Sequence, residues 1–584
     1  MSSEAGGVTS TGRSIPNGQD DSAAVETSGR GTQQSASKEN VAAVFLLARQ
    51  GSFEEALQVL AEHPDLWQEV EEGGYTLLHW AALSGHLPFI SRALSMGLQV
   101  DSVAENGQTA LMWAVTRGQV AAVKALIDAQ ADVHKRDSLG ATAFIIAVQH
   151  RQHTILLLLI CRASRDRLFA EVDTNGCGPV HWASYKGDQT SLKLLDYFDA
   201  DFEVQDNQGM TPLHRAVQAS SSMVIEFLVE DKRLDISQAD SKGRTCLAIA
   251  LEQDDKMMHR KLSLLQQDGG EKQDLLDGRQ PRLNKSKERA KFQTRMRDNG
   301  PCTFWLVSVS LAVFQYLSYI RPIAWRDAPM VALAFELGVP ISLALFFSVG
   351  WMDPGKVPAR LKSVSGVEDI MRALTSGGEV PDFSRLCTTT WVLKGPRTKY
   401  CTHTEACVEE FDHFCGWLNT AIGRGNHRPF IFLAIIETCT QFCNIYLLYV
   451  VACDMVKTET IWSWISGVAY ADPFLVFMVC VHGFTAPMVS MLTLQQLRLI
   501  GINMTTNELI NANRYEHFWE EVKNEAGGTK KVFRNPFHKG NVIRNCLDFW
   551  WTRRRADRGP QSAGFLFGRG KRPEVQILGP DEEV

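Results

Sequence analysis

The chain has 584 residues, with 60 Lys and Arg against 66 Asp and Glu and 45% hydrophobic residues, enough for about three or four domains of roughly 100–200 residues. A formal charge of −6 supplies no overall positive field to neutralise phosphates, which excludes a general nucleic-acid binder. Thirteen cysteines are too sparse for a disulfide scaffold. In chain order, residues 1–39 are rich in Ser, Gly, Thr and Gln without an apolar period and are expected to form a disordered tail. The stretch from Met1 to Asn40 has no apolar run of the kind that marks a secretory leader.

A turn then recurs, at Gly74-Tyr75-Thr76, Gly107-Gln108-Thr109, Gly140-Ala141-Thr142, Gly176-Cys177-Gly178-Pro179, Gly209-Met210-Thr211 and Gly243-Arg244-Thr245. The leading glycines are 33, 33, 36, 33 and 34 residues apart. A period of about 33 is the ankyrin period, and Thr211-Pro212-Leu213-His214-Arg215-Ala216 is the fullest copy. With a degenerate first copy from Asn40, about six or seven repeats are expected over 40–267. Such repeats stack to bury their apolar faces and present a concave surface that binds proteins. His79, His181 and His214 belong to the turn and read as structural.

Residues 268–300 form a basic linker, with eight Lys or Arg and only Glu288 as acid between Arg279 and Arg297. Apolar stretches of bilayer-crossing length follow. Phe304–Ile320 and Pro329–Trp351 lie within 301–351 and are separated by a polar hinge, Arg321–Ala328. Two more, Phe430–Cys453 and Pro473–Leu497, lie within 428–498. The basic residues before the first span, and Lys530, Lys531, Arg534, Lys539 and Arg553-Arg554-Arg555 after the fourth, place both flanks and the 352–427 loop in the cytosol. The 499–584 tail is cytosolic on the same argument. Glu336 and Glu437 inside spans read as paired structural groups.

The 352–427 loop holds Asp412, His413 and Cys415. An imidazole can take a proton from a thiol while a carboxylate orients it, and the resulting thiolate attacks thioesters. Taken alone, the same His and Cys read equally well as zinc ligands. The surrounding motifs add to this. Asp353-Pro354-Gly355 follows the second span and Thr505-Thr506-Asn507-Glu508 follows the fourth. Gly423 and Asn426 follow the cysteine, and Asn535-Pro536-Phe537 runs on through Asn541 to Phe549-Trp550. In these features the chain resembles the Asp-His-His-Cys family of integral-membrane protein S-acyltransferases (palmitoyltransferases), in particular its ankyrin-bearing fungal members.

The resemblance implies an all-α architecture: an ankyrin solenoid followed by a polytopic helical membrane domain with a cytosolic catalytic loop. It implies transfer of a palmitoyl group from acyl-CoA to cysteines of substrate proteins through an acyl-enzyme on Cys415, with His413 as base and Asp412 orienting it. Partners would be fatty acyl-CoA, cysteine-bearing proteins recruited by the repeats, and the bilayer, with no nucleic acid. The membrane would be that of the Golgi or early endosome. The family's two zinc sites align with Cys387, Thr390, Tyr400 and Cys407, and with Cys401, Thr404, Phe414 and Ala421. Because most of these positions have lost their ligand, neither zinc nor any other cofactor is expected. Packing of Trp391, Tyr400, Phe414 and Trp417 is expected to hold the loop instead. Gly416 stands where the family has Pro, which loosens the turn after the nucleophile. Two other readings are a membrane-anchored ankyrin scaffold without catalysis and an ankyrin-bearing channel. Against the channel, Asp454–Asp472 reads as a short polar connection with no re-entrant segment.

Overall fold

The computed structural model of the protein describes residues 28–276, 285–358, 365–376, 378, 380–457, 460–523 and 529–552. Residues 1–27 of the expected tail, and Arg553-Arg554-Arg555, lie outside them. The chain divides into two units, at Ser263 and Leu264.

The first unit is a stack of helix pairs. Each turn glycine adopts a left-handed conformation, as at Gly107 (φ 74°) and Gly140 (φ 78°). A Cβ on Gly140 would lie 2.8 Å from the backbone nitrogen of Thr174 in the next repeat, so close stacking of turns also demands glycine. An aspartate organises each later turn. Oδ1 of Asp137 accepts from the amides of Leu139 and Ala141, and Asp173, Asp206 and Asp240 repeat the pattern. Backbone bonds such as Ser138 N to Asn106 O and Asn207 N to Asn175 O join successive turns. His79 Nδ1 accepts from Thr76 N, and its Nε2 contacts Gln108 O of the next repeat at 3.1 Å. His181 and His214 make the same contact to the preceding backbone amide, at 3.3 and 3.2 Å. The step of 36 residues contains an extra short helix, Arg165–Ala170. Helix Ser28–Gln50 begins inside the segment expected to be unstructured, and helix Lys256–Leu276 runs past residue 267.

In the second unit four helices are long and apolar enough to cross a membrane: Asn299–Asp327, Pro329–Trp351, His427–Met455 and Pro473–Ile502. The polar hinge expected at Arg321–Ala328 is instead helical to Asp327, and the chain breaks only at Ala328 (φ −146°, ψ 55°). The cause is Glu336 on the second span. Its carboxylate accepts from Arg321 Nε, Trp325 Nε1 and Tyr316 OH at 2.8–2.9 Å, so the polar residues keep partners without leaving the helix. Glu437 accepts from Trp305 Nε1, Ser342 Oγ and Gln441 Nε2 at 2.9–3.0 Å, joining the first three spans. The connection after the third span is not polar throughout. It contains the apolar helix Ile461–Ala471, with Trp462 and Tyr470 exposed.

The fold is mostly helical, but the loop between the second and third spans is built on short strands. These are β1 (Lys356–Val357), β2 (Leu386–Cys387), β3 (Val392–Leu393), β4 (Lys399–Cys401), β5 (Ala406–Val408), β6 (His413–Cys415) and β7 (Thr420–Ile422). They pair antiparallel as a three-stranded sheet β1-β5-β4 and two hairpins, β2-β3 and β6-β7. Helix Gly366–Ser376 packs beside β3 and buries Val367, Ile370 and Leu374. After the fourth span come a short helix, Thr506–Asn511, the hairpin β8 (Trp519–Lys523) and β9 (Thr529–Phe533), and helix Val542–Trp551.

Candidate active site

His413, Phe414 and Cys415 make up β6, and Asp412 directly precedes it. Side chains alternate along a strand, so His413 and Cys415 share one face and Phe414 takes the other. The hairpin registers His413 with Ile422, Phe414 with Ala421 and Cys415 with Thr420. Cys415 is 6% exposed and packs in an apolar cluster with Phe346 and Val349 of the second span, Ile431 and Leu433 of the third, and Ile500 of the fourth. The thiol therefore sits at the loop end of the bundle, against its apolar interior.

His413 Nδ1 donates to Asp412 Oδ2 at 2.7 Å, and the Cys415 side chain lies close enough to act on the ring. Burial alone would lower the imidazole's pKa, but the bond to Asp412 and the influence of Cys415 outweigh it and raise it to about 9. Asp412 is fully enclosed. Burial opposes its ionisation, yet the charge of His427, the bond from His413 and the Thr506 amide hold its carboxyl far below the usual carboxylate range. Thr506 donates its amide to Oδ1 (2.8 Å) and its hydroxyl to Oδ2 (2.7 Å). Gln496 Nε2, from the fourth span, donates to Oδ2 at 3.1 Å and to Thr506 Oγ1 at 2.9 Å. This fixes the amide so that its Oε1 receives the His427 Nε2 proton at 3.2 Å. A carboxylate with this many donors has no reason to take a proton from His413. It orients the ring with Nδ1 protonated and leaves Nε2 for the thiol.

The motifs expected to matter converge here. The Asp353-Pro354-Gly355 turn and Gly423 to Asn426 interlock: Gly425 N donates to Pro354 O, and Arg424 N to Glu409 O. A Cβ on Gly425 would collide with Asp353 O. Asn426, fully buried, accepts from Gly423 N at 3.0 Å and donates to Ala421 O at 2.9 Å. Thr505 and Glu508 form a capping box that opens helix Thr506–Asn511. Glu508 also takes a bidentate bond from Arg397, both distances 2.7 Å, with each side chain 3% exposed. Arg397 further donates to Asn503 O at 2.6 Å and stacks on Phe537. The last carbonyls of the fourth span are thus capped in turn: Gly501 O by Asn545, Ile502 O by Asn535 and Asn503 O by Arg397. The enclosed tail asparagine is Asn545, whereas Asn541 is exposed and caps helix Val542–Trp551. The residue types of Gln496, His427 and Arg397 carry no local signal for these roles, and the sequence reading did not single them out.

Several loop expectations change. Phe414 packs with Cys401, Val408, Phe411 and Ala421 and lies 4.0 Å, ring to ring, from His403. These residues, not Trp391, Tyr400 and Trp417, make the core behind β6. Trp417 is 42% exposed and faces Phe304 of the first span. Gly416 is not left-handed and a Cβ there would meet nothing within 4 Å, so its glycine freedom is not used. The zinc pattern that the resemblance implies does not fit this loop. At one aligned position set the Thr390 hydroxyl lies 3.3 Å from the Cys407 sulfur, where a third thiolate would be needed. The Cys387 and Cys407 thiols interact, which pulls Cys387 down and pushes Cys407 up. At the other set, apolar Phe414 and Ala421 fill the space around Cys401. Structural zinc takes four nitrogen, sulfur or carboxylate ligands, and neither set supplies them.

Comparison with known proteins agrees with these features. Residues 380–513 match the DHHC palmitoyltransferase family. Ankyrin repeats match over 44–137, 88–172 and 180–263. The chain is 27% identical to "Palmitoyltransferase AKR1" of Lachancea kluyveri over 52% of its own length and 48% of that protein's. It is 28% identical to "Palmitoyltransferase ZDHHC17" of Danio rerio over 64% and 60%, and 26% identical to the Homo sapiens protein of that name over 64% and 64%. The chain thus spans about half to two-thirds of the length of these relatives.

Proposed function

We propose, for a chain that carries a DHHC palmitoyltransferase domain behind ankyrin repeats, that it is a protein S-acyltransferase. In the first half-reaction, His413 Nε2 takes the proton of the Cys415 thiol as the sulfur adds to the thioester carbonyl of a fatty acyl-CoA. The carbon–sulfur bond to CoA then breaks, and the imidazolium returns its proton to the CoA thiolate. In the second, a cysteine of a substrate protein gives its proton to His413 and takes the acyl group, restoring the Cys415 thiol. The observation that carries this reading is the ordered chain Asp412–His413–Cys415, with the sulfur set into the apolar end of four membrane-length helices. That position suits a substrate with a polar head and an insoluble tail.

The same reading assigns the ankyrin face to recruitment of protein substrates. It puts the repeats, the loop and the tail on the cytosolic side, an orientation the basic flanks of the spans support, and takes the membrane to be that of the Golgi or early endosome. It has the loop fold without zinc or any other cofactor, held by the Phe414 cluster. Purified protein given labelled palmitoyl-CoA should acquire one hydroxylamine-sensitive acyl group, found by mass spectrometry on Cys415. Cys415→Ser should acquire none at that position. A wild-type protein that never loads would leave a membrane-anchored ankyrin scaffold as the better reading.

A further inference from the structure

Within the bundle, three buried polar side chains are not satisfied. Asn444 on the third span, His482 on the fourth and Gln315 on the first are 2%, 6% and 1% exposed. Among the described residues, neither polar atom of Asn444, neither ring nitrogen of His482, and not the Gln315 carbonyl oxygen has a hydrogen-bond partner. They lie close together in depth. Thr485 donates to Gln441 at 3.0 Å, which sets the register of the antiparallel third and fourth spans. Three residues farther from the loop on each, about 4.5 Å along the axis at 1.5 Å per residue, Asn444 comes opposite His482. Trp305 against Glu437 sets the first span beside the third, and the same count brings Gln315 to within a turn of that level. Beyond it lies an apolar cluster that includes Leu447, Leu448 and Val451, with Met478, one turn from His482, at its near edge.

Unpaired polar groups inside a bilayer are costly enough that packed spans do not keep five such atoms within one turn of depth. We infer that this level binds a small cluster of water molecules. The chemistry of the set selects the ligand. It offers amide donors, amide acceptors and an imidazole that can do either, and no carboxylate or thiolate. The carboxylates facing the bundle nearby are already engaged, Glu336 by Tyr316, Arg321 and Trp325 and Glu437 by Trp305, Ser342 and Gln441. A cation would find no counter-charge, and an anion would face the carbonyl oxygens of Asn444 and Gln315. A neutral molecule that both donates and accepts satisfies every member, and water needs only two to four such partners. The cluster would continue the chain that runs from Asp472 through Tyr319 to the Gln315 amide.

The test is X-ray radiolysis of the full chain in lipid nanodiscs made up in 18O-water, with labelled side chains read by mass spectrometry. Bound water becomes hydroxyl radical and marks its neighbours even where bulk solvent has no access. Met478 and His482 should take up label at least fivefold faster than Phe335, which is equally buried in the dry part of the bundle. Asn444→Leu with His482→Leu should remove that excess at Met478. Gln315→Leu should reduce it, and serves if the double variant does not fold. Labelling no faster than at Phe335 would overturn the inference, as would labelling that the variants leave unchanged. A lipid hydroxyl held in place of water would also give no 18O uptake, and so overturns it.

Discussion

Replacing Arg397 by Met tests whether the catalytic loop is latched to the membrane bundle through one ion pair. The guanidinium makes two 2.7 Å bonds to Glu508 and one of 2.6 Å to Asn503 O, and both charged side chains are 3% exposed. Without Arg397, Glu508 keeps the Thr505 amide at 2.8 Å but stays charged in an enclosed site. Removing one member of a buried pair costs about 3–5 kcal/mol, mostly because the other charge is stranded. Helix Thr506–Asn511 would bear that loss, since it delivers the Thr506 and Asn507 amides to Asp412. Amide exchange at those two positions should therefore speed up by about two to three and a half orders of magnitude, at about tenfold per 1.4 kcal/mol. Acyl loading of Cys415 should fall with it, because Asp412 loses donors. Arg397→Met combined with Glu508→Leu removes both charges and should recover most of the exchange protection. Hydrogen–deuterium exchange on both variants settles the matter. If the single variant exchanges less than tenfold faster, or the double variant exchanges as fast as the single, the pair is not the latch.

Three further outcomes follow from the site. With His413 raised to about 9, the neutral imidazole needed to accept the thiol proton becomes populated as pH rises, so the loading rate should climb toward an inflection near pH 9. Asp412→Asn removes a raising bond and should move that inflection down toward the ordinary imidazole range, in rapid-quench mass spectrometry. The same raised pKa means that the pair's contribution to stability is present below about pH 6.5 and lost as pH rises through about 9. Gln496→Leu takes one acceptor from His427 Nε2 and one donor from Asp412, a loss of about 1–3 kcal/mol; loading should slow by about 5- to 150-fold with protein abundance unchanged. Incubation with a strong zinc chelator should leave loading and loop proteolysis unchanged, whereas Phe414→Ala should loosen the loop by about 2 kcal/mol in a proteolysis assay, less than a fully buried ring because Phe414 is only partly buried.

What could be read ahead of the structure depended on whether the determining contacts are local. The ankyrin turns were legible because Gly140 and Gly209 need left-handed backbone and small size at a fixed period, and both constraints are written in the residue itself. The four spans were legible from length and apolarity. The hinge was not, because Arg321 and Trp325 look like chain-breaking polarity until Glu336, on the following helix, is seen to accept from both. The loop strands are two or three residues each, too short for any alternation to show. At the site, the spacing of Asp412, His413 and Cys415 was visible in the sequence, but by chemistry alone it read equally well as zinc ligands, and only the surrounding motifs and the resemblance favoured a nucleophile. The supports of these residues were not legible: Gln496 lies 84 residues from Asp412 and Arg397 lies 111 from Glu508, and nothing in either neighbourhood names its partner.

The thin apolar core of the loop and the reach of the fourth span explain each other. In a small loop of two- and three-residue strands, little apolar surface is available to fix a nucleophile, which is the situation in which proteins use metals or long-range ties. Here Phe414 and Ala421 give β6 a dry back, but that cluster holds only the face opposite the thiol. The reactive face is fixed from the other side, by Gln496, Thr506 and His427 around Asp412, and by Arg397 on Glu508. All but Arg397 come from the third and fourth spans or the turn that leaves the fourth. Cys415 is therefore positioned by the membrane bundle more than by its own loop. Movement of the fourth span would reach His413 through the Gln496 amide before it reached the zinc-like half of the loop.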